Sequence, residues 1–486
     1  MGAGSFSALA LGLVSAAILS RYFSKTEYGT YRQILYVYNT LLIIFTAGLP
    51  RVFSYYLPRY TLSQGKEIVW KISKIMLLCG LAFSGFLFAF SGILADVLKN
   101  PELSVGLKVF APVPLLLLPT LGIEGIFSTY QKTFFIAIYN ILTRVITLLF
   151  VVLPVVLFKG TYLYAIYGWI ISSLITLVIA YFFKNIPFKG TLAERTGLTI
   201  KEILKYSLPI AFASVAGIID STAIQFYISR YFGVEVFAEF SNGFVQIPFV
   251  SMITGATATV LMPLFSKIVH EKSNIDELTG LWRNALQKSV ILIYPMVIFC
   301  MFYSREIMVI LFSDAYSVSA KYFSIAMIVN FFNVVMFTPL WLSLGKSRFF
   351  AGLQFGNAFL TWFLGYFIVM IFQTPIAIAI MSVIISICYF IIAFIYTSKT
   401  LDVSINKLFP LIRVLIITLH SAISILLIKT LSILFMKEMS DLMLVALAGC
   451  GYVIFLMATS KWFDIDYLKI IAPLINRNSD NKFIVD

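Results

Sequence analysis

Fourteen apolar stretches, most of them about 20 to 28 residues long and separated by short polar loops, run the length of this 486-residue chain. That is the length an α-helix needs to cross a hydrocarbon layer of roughly 30 Å, because each residue advances it by about 1.5 Å. Barrel strands would be about half as long and would alternate polar with apolar. The stretches lie near residues 3–20, 33–57, 72–95, 104–128, 133–158, 161–183, 204–229, 241–264, 286–312, 320–345, 348–372, 375–397, 409–430 and 439–460. Only 12% of the residues are charged and the mean hydropathy is +0.96, which excludes a water-soluble globule. The expectation is an all-α integral membrane protein of about 14 transmembrane helices. No loop exceeds about twenty residues, so an enzyme would need its active site within the helices.

A net charge of +14 could point to nucleic acid, but in a membrane protein the basic residues mark cytoplasmic loops, so their position decides. About 23 of the 36 Lys and Arg fall in the tail and in the loops that follow even-numbered spans, against about 11 in the opposite loops. Both termini are therefore expected in the cytoplasm, and no nucleic-acid partner is expected.

The tetrapeptide Ser-Arg-Tyr-Phe occurs at Ser20 to Phe23 and again at Ser229 to Phe232, each time at the end of an apolar run. The sequences that follow stay alike, with Tyr28 over Phe237, Gly29 over Ala238 and Tyr31 over Phe240. This reads as an internal duplication. Six spans separate the copies, and an even number returns the chain to the same side, so the repeats are expected to be parallel. The division expected is a six-helix lobe over 1–183, a cytoplasmic linker over 184–202, a second six-helix lobe over 203–397, two further helices over 398–460 and a tail over 461–486. The second copy carries about eleven more residues ahead of the matching point, including Lys201, Lys205 and Pro209, so a late or truncated start is expected for the first.

Cys79, Cys300, Cys388 and Cys450 lie far apart in apolar runs and suggest neither a disulfide framework nor a metal site. His420 reads as a satisfied interior residue. Asp464-Ile465-Asp466 spells an Asp-x-Asp pattern, but in a short tail with no nucleotide-binding domain it reads as chance. Gly345-Lys346-Ser347 lacks the earlier glycine of a phosphate-binding loop. No cofactor is expected, and the chain is not expected to be an enzyme.

A charge at mid-bilayer costs roughly 2.5 to 3.5 kcal/mol on insertion scales, so charges kept within spans are candidates for function. Arg144 in span 5, Arg51 in span 2, Glu124 in span 4 and Asp220 in span 7 are such charges. One reading has Arg144 and Arg51 facing a cleft and binding an anionic headgroup, since a guanidinium matches phosphate oxygens in two-point geometry. The other is an ion pair with Glu124 that joins helices. Asp220 divides between a helix-joining hydrogen bond and a role in coupling. Ser207, Ser214, Ser221 and Gln225 share one face of span 7. Asn242, Gln246, Thr254 and Thr257 share a broader face of span 8, and span 2 offers Gln33, Tyr36, Asn39 and Thr40. These faces could line a wet cavity, although Ser and Thr at such spacing also simply pack helices closely. Pro112, Pro114, Pro119, Pro209, Pro248, Pro295 and Pro339 interrupt spans and permit bends.

The segments SRYFSKTEYGTYRQ, GLPRVFSYYLPRY and SLPIAFASVAGIIDSTAIQFYISRYFG resemble the polysaccharide biosynthesis flippases, Wzx-like members of the multidrug/oligosaccharidyl-lipid/polysaccharide exporter superfamily. The resemblance implies a two-lobed fold like that of the multidrug and toxin extrusion (MATE) transporters. It implies a transport function as well: moving an undecaprenyl-diphosphate-linked oligosaccharide from the inner to the outer leaflet of a bacterial or archaeal cytoplasmic membrane, for O-antigen, capsule or exopolysaccharide assembly. Polysaccharide polymerase machinery would be a partner, and coupling to H+ or Na+ is compatible with it. By the same resemblance Asp220 matches the family's acidic position in span 7, and Arg21 and Arg230 stand where the family often has a basic residue. Arg144, with Arg51 assisting, is expected to contact the diphosphate. Arg21 and Arg230 are expected to be interfacial anchors at the outer mouth. The rivals are a cation-drug antiporter of the same superfamily, weakened because span 1 holds no acid, a lipid II flippase, and more remotely a membrane polymerase or ligase. The charge distribution is tested by a reporter fused after Lys482, which is expected to read cytoplasmic; a periplasmic signal would overturn the orientation.

Overall fold

The structure is a computed structural model and describes residues 2–467 other than 246, 272–274, 335 and 437. Among the described residues there is no strand, only helices and the turns between them. The chain divides into two compact units, Met1–Ser241 and Asn242–Asp486.

The first unit holds α1 (Gly2–Tyr22), α2 (Lys25–Thr46), α3 (Val52–Tyr56), α4 (Leu62–Val97), α5 (Glu102–Phe110), α6 (Pro112–Leu117), α7 (Ile123–Thr129), α8 (Thr133–Phe158), α9 (Tyr162–Asn185), α10 (Ile200–Phe232) and most of α11 (Val234–Gly243). The second holds α12 (Pro248–His270), α13 (Ile275–Phe302), α14 (Ser304–Phe312), α15 (Ser319–Asn330), α16 (Thr338–Ser343), α17 (Ser347–Phe372), α18 (Pro375–Leu401), α19 (Ile405–Leu408), α20 (Leu411–Phe435) and α21 (Asp441–Thr459). Among the described residues ten helical segments are long and apolar enough to cross a membrane, or up to twelve when each of two bent pairs is counted as one span. The chain is a multi-pass membrane protein.

Three helices begin with a capping box, in which the N-cap hydroxyl accepts from the third residue's N–H while that residue's side chain accepts from the cap: Ser24 with Glu27, Thr61 with Gln64 and Thr199 with Glu202. Both Ser-Arg-Tyr-Phe copies close a helix that is followed at once by another, α1 by α2 and α10 by α11. The duplicated sequence thus encodes a duplicated helix end. The spans are less uniform than the apolar runs suggest. The tenth expected span, 320–345, is not one helix, since α15 stops at Asn330 and α16 starts at Thr338. Pro248 and Pro339 fall in the first turns of α12 and α16, where a missing N–H costs nothing, while Pro209 and Pro295 lie inside α10 and α13.

Packing assigns α10 to the first unit, although the sequence repeat places it at the head of the second lobe. A polar network shows why. Gln33 is fully buried and donates to Ser229 Oγ at 2.7 Å, while Asn100 donates to Gln33 Oε1 at 2.6 Å and to Thr30 Oγ1 at 2.9 Å. Around it Lys25 pairs with Glu239 at 2.6 Å and Arg32 donates to the Ser241 carbonyl at 3.1 Å. Arg230, expected as an interfacial anchor, instead donates to the Val97 carbonyl and ties α10 to the end of α4. Gln33 and Tyr36, expected on a cavity face, are spent on this contact, Tyr36 donating to the Thr222 carbonyl at 3.2 Å.

In the second unit His420 is buried between Thr459 (2.7 Å) and Tyr467 (3.3 Å), the satisfied interior residue its sequence context suggests. Asp464 pairs with Arg413 at 3.3 Å, a structural use for the first carboxylate of the Asp-x-Asp pattern. Lys429 and Glu306 pair at 2.7 Å across α20 and α14.

The network around Gln33 sets an expected order of stabilities. Asn100→Ala leaves buried groups unpaired and is expected to cost about 1–3 kcal/mol, read as a lowered Tm of the purified protein. Thr26→Ala removes an exposed hydrogen bond to Glu235 and is expected to change stability by less than about 0.5 kcal/mol.

Candidate functional site

Two spans of the first unit break at the same place, and the breaks make a cavity. The second span stops at Thr46, passes Ala47 (φ 50°) and Gly48 (φ 69°), and resumes as a 3-10 turn over Leu49–Arg51 and then α3, bent by 54°. The fourth span breaks through a 3-10 turn at Leu118–Thr120, an extended Leu121 and Gly122 (φ 87°) before α7. Each break turns on a glycine that nothing larger can replace. A Cβ at Gly48 would stand 2.5 Å from the Ser207 carbonyl, and one at Gly122 would stand 2.2 Å from the Phe53 ring. Phe53, fully buried, therefore packs one break against the other.

The breaks enclose a cavity of about 570 Å³ whose wall includes Arg51, Ser54, Thr120, Glu124, Tyr139 and Asn140. Apolar clusters built on Phe53, Ile72 and Ile126, and on Ile123, Phe127 and Tyr139, back these walls. Glu124 accepts a hydrogen bond from Asn140 Nδ2 at 3.1 Å. Arg51 is exposed and lines this space; its backbone N–H donates to the Gly48 carbonyl at 3.2 Å, while its guanidinium, among the described residues, makes no hydrogen bond or ion pair. The helix-joining ion pair of either arginine with Glu124 is not formed; the bond the carboxylate does make is to Asn140.

Arg144 follows Asn140 by one turn of α8, about 6 Å along the same side of the helix. It too is exposed and forms no ion pair among the described residues; Tyr38 on α2 is buried. Asn39, next to Tyr38, is exposed. The structure thus brings Arg51 and Glu124 to one cavity and places Arg144 a turn beyond it.

The remaining candidates lie elsewhere. Ser214 and Ser221 donate to the Ile210 and Ile218 carbonyls of their own helix, Ser214 half-buried and Ser221 exposed. Gln225 and Asp220 are half-buried on α10. Asn242 and Thr254 belong to the second unit and are buried, Thr254 donating to the Val250 carbonyl. Gln246 lies outside the described residues. Sequence reasoning missed Asn140 and Lys184. Lys184 ends the sixth span and reads as an ordinary loop lysine, yet its side chain is buried and donates to the Pro119 carbonyl at 2.6 Å, in the fourth-span break itself. No spacing or composition marks it.

Residues 18–321 match the sequence profile of a family described as polysaccharide biosynthesis protein, over more than half of the chain. The chain belongs to the polysaccharide biosynthesis protein family. A search of curated proteins finds no match to this family member. Solved structures share its fold. The lipid II flippase MurJ in an inward closed conformation matches with a TM-score of 0.71 at 14% identity, over 95% of this chain and 98% of that one. An inward-facing multidrug resistance MATE family transporter of the MOP superfamily matches at 0.65 and 13% identity, over 82% and 98%. A MOP superfamily transporter from Pyrococcus furiosus matches at 0.57 and 13% identity, over 83% and 94%. The all-α fold shared with MurJ and the MATE transporters is the one the sequence resemblance implies.

The two-glycine construction is open to test. Gly122→Ala is expected to cost about 2–4 kcal/mol, from the clash with Phe53 and the positive φ together. Gly190→Ala has a similar φ of 79° but open space around it, and is expected to cost about 1–2 kcal/mol. Thermal melts of the two purified variants check the difference.

Proposed function

We propose that this protein is a lipid-linked oligosaccharide flippase that moves undecaprenyl-diphosphate-linked glycan from the inner to the outer leaflet of a bacterial or archaeal cytoplasmic membrane by alternating access. The observation that carries the reading is the unpaired Arg51 guanidinium in a cavity between two broken spans, with Arg144 one turn of α8 beyond Asn140 of the cavity wall. Holding two unpaired guanidinium groups at the level of the bilayer is costly unless an anion visits them. A diphosphate offers oxygens in the two-point geometry that guanidinium forks match. Glu124 and Asn140 add an acceptor and an amide suited to sugar hydroxyls.

Family membership and a fold shared with flippases and transporters support transport over catalysis. A cation-drug antiporter would favour a cavity of net negative charge, whereas here the one carboxylate of the wall, Glu124, is matched by Arg51, with Arg144 a turn beyond. Asp220 and Glu124 are the carboxylates available to a proton or sodium gradient, and the machinery that polymerises the glycan is the natural recipient of the product.

Arg51→Ala and Arg144→Ala are each expected to lower flipping roughly ten- to hundredfold at normal protein abundance, with lysine at either position milder. Leaflet-resolved accumulation of lipid-linked oligosaccharide in a deletion strain carrying each variant measures this. Full activity of both alanine variants would refute the assignment.

A further inference from the structure

A lysine in the last turn of a membrane helix ordinarily extends toward the headgroups, where the helix C-terminus favours it and water solvates it. Lys184 ends α9 but turns inward and is 4% exposed. Its Nζ donates to the Pro119 carbonyl at 2.6 Å and to Ser73 Oγ at 3.0 Å, and stands 5.2 Å from the centre of the Phe53 ring. Two oxygens and a ring face take up the three directions in which an ammonium donates. None of them is charged, and among the described residues no carboxylate lies within 4 Å of Lys184. Burying a cation without an anion is among the costliest things a fold can do.

The location of these partners gives the cost a purpose. Pro119 immediately precedes Thr120, and Phe53 immediately precedes Ser54; Thr120 and Ser54 both line the cavity. Pro119 belongs to the fourth-span break and Phe53 to the helix that follows the second-span break, so the ammonium links the two broken spans from behind the cavity wall. It satisfies a carbonyl at the break, and because no carboxylate neutralises it, its charge is held most firmly when an anion occupies the cavity.

We propose that Lys184 is a positioning residue and the hidden second cation of this site. It touches no substrate, but it holds the two breaks in register and raises the potential of the cavity so that a diphosphate is held in preference to a single phosphate group. The preference follows from charge, since the ligand carrying more negative charge gains more from a fixed cation behind the wall. This inference rests on the reading of the cavity as an anion site.

The test is binding of inorganic pyrophosphate and of inorganic phosphate to the purified full-length protein in nanodiscs at two salt concentrations. Wild type is expected to prefer pyrophosphate. Lys184→Met is expected to weaken pyrophosphate binding roughly tenfold, the weight of one partly screened charge, with a smaller loss for phosphate and a shallower salt dependence. Lys184→Arg is expected to restore most of the preference. Should Lys184→Met not fold, Ser73→Asp keeps the lysine and its tether while neutralising the charge, and the same loss of preference is expected. Equal pyrophosphate affinity in wild type and variants overturns the role of Lys184 and leaves the anion site standing. An equal loss of both ligands that arginine does not relieve makes the lysine a tether only and overturns the proposed potential. Failure of wild type to bind pyrophosphate overturns the anion site, and the role of Lys184 with it.

Discussion

A helix inside a hydrocarbon layer cannot leave backbone carbonyls unpaired, so every break in a span needs a partner from elsewhere in the fold. The site in this protein depends on how two such breaks are satisfied. At Gly48 and Gly122 the chain takes positive φ and the spans change direction. The freed Pro119 carbonyl is met by the ammonium of Lys184, and the two breaks lock through Phe53 against Gly122. Remove that arrangement and Arg51 and Glu124 would ride on straight helices with no cavity between the spans that carry them.

The same constraint explains the electrostatics. An Arg–Glu pair across the breaks would be the ordinary way to bury both charges. Here Glu124 accepts from the uncharged Asn140 amide, and neither Arg51 nor Arg144 pairs with it. The polar contacts at the other end of α10 follow the opposite rule. Gln33 hydrogen-bonds both Ser229 and Asn100, which ties α10 to α2 and to the Asn100 loop. Paired polar groups join these helices, whereas the Arg51 guanidinium at the cavity has no ion-pair partner among the described residues.

The sequence made the architecture legible because hydrophobic length is a global signal. Apolar runs of bilayer-crossing length announce membrane helices whatever the details of packing, and the repeated Ser-Arg-Tyr-Phe marks helix ends that the structure places at Tyr22 and Phe232. Arg51 and Glu124 were also visible, since charge in an apolar run stands out. What brings these two to one cavity was not visible. Gly122 looks like any other glycine until Phe53 is seen against it, and Lys184 looks like a loop residue until its side chain is seen to turn inward. The serines of α10 show another thing a pattern leaves out. Ser214 and Ser221 share a face, which periodicity detects, but their hydroxyls bond their own helix, which periodicity cannot detect. The continuous tenth span failed for a related reason: hydropathy reports apolar length, and α15 and α16 are apolar on both sides of a break that only the backbone reveals.

The central claim is that the cavity between the two breaks receives the diphosphate end of a lipid-linked glycan. The most direct measurement is photo-crosslinking in native membranes from a photoreactive amino acid placed at Ser128, on the cavity wall but outside the Arg51, Glu124 and Asn140 set. The account predicts an adduct that carries a polyprenyl-diphosphate glycan and is lost when synthesis of that lipid is blocked. An adduct formed only with ordinary phospholipid, and unchanged by the block, would contradict it.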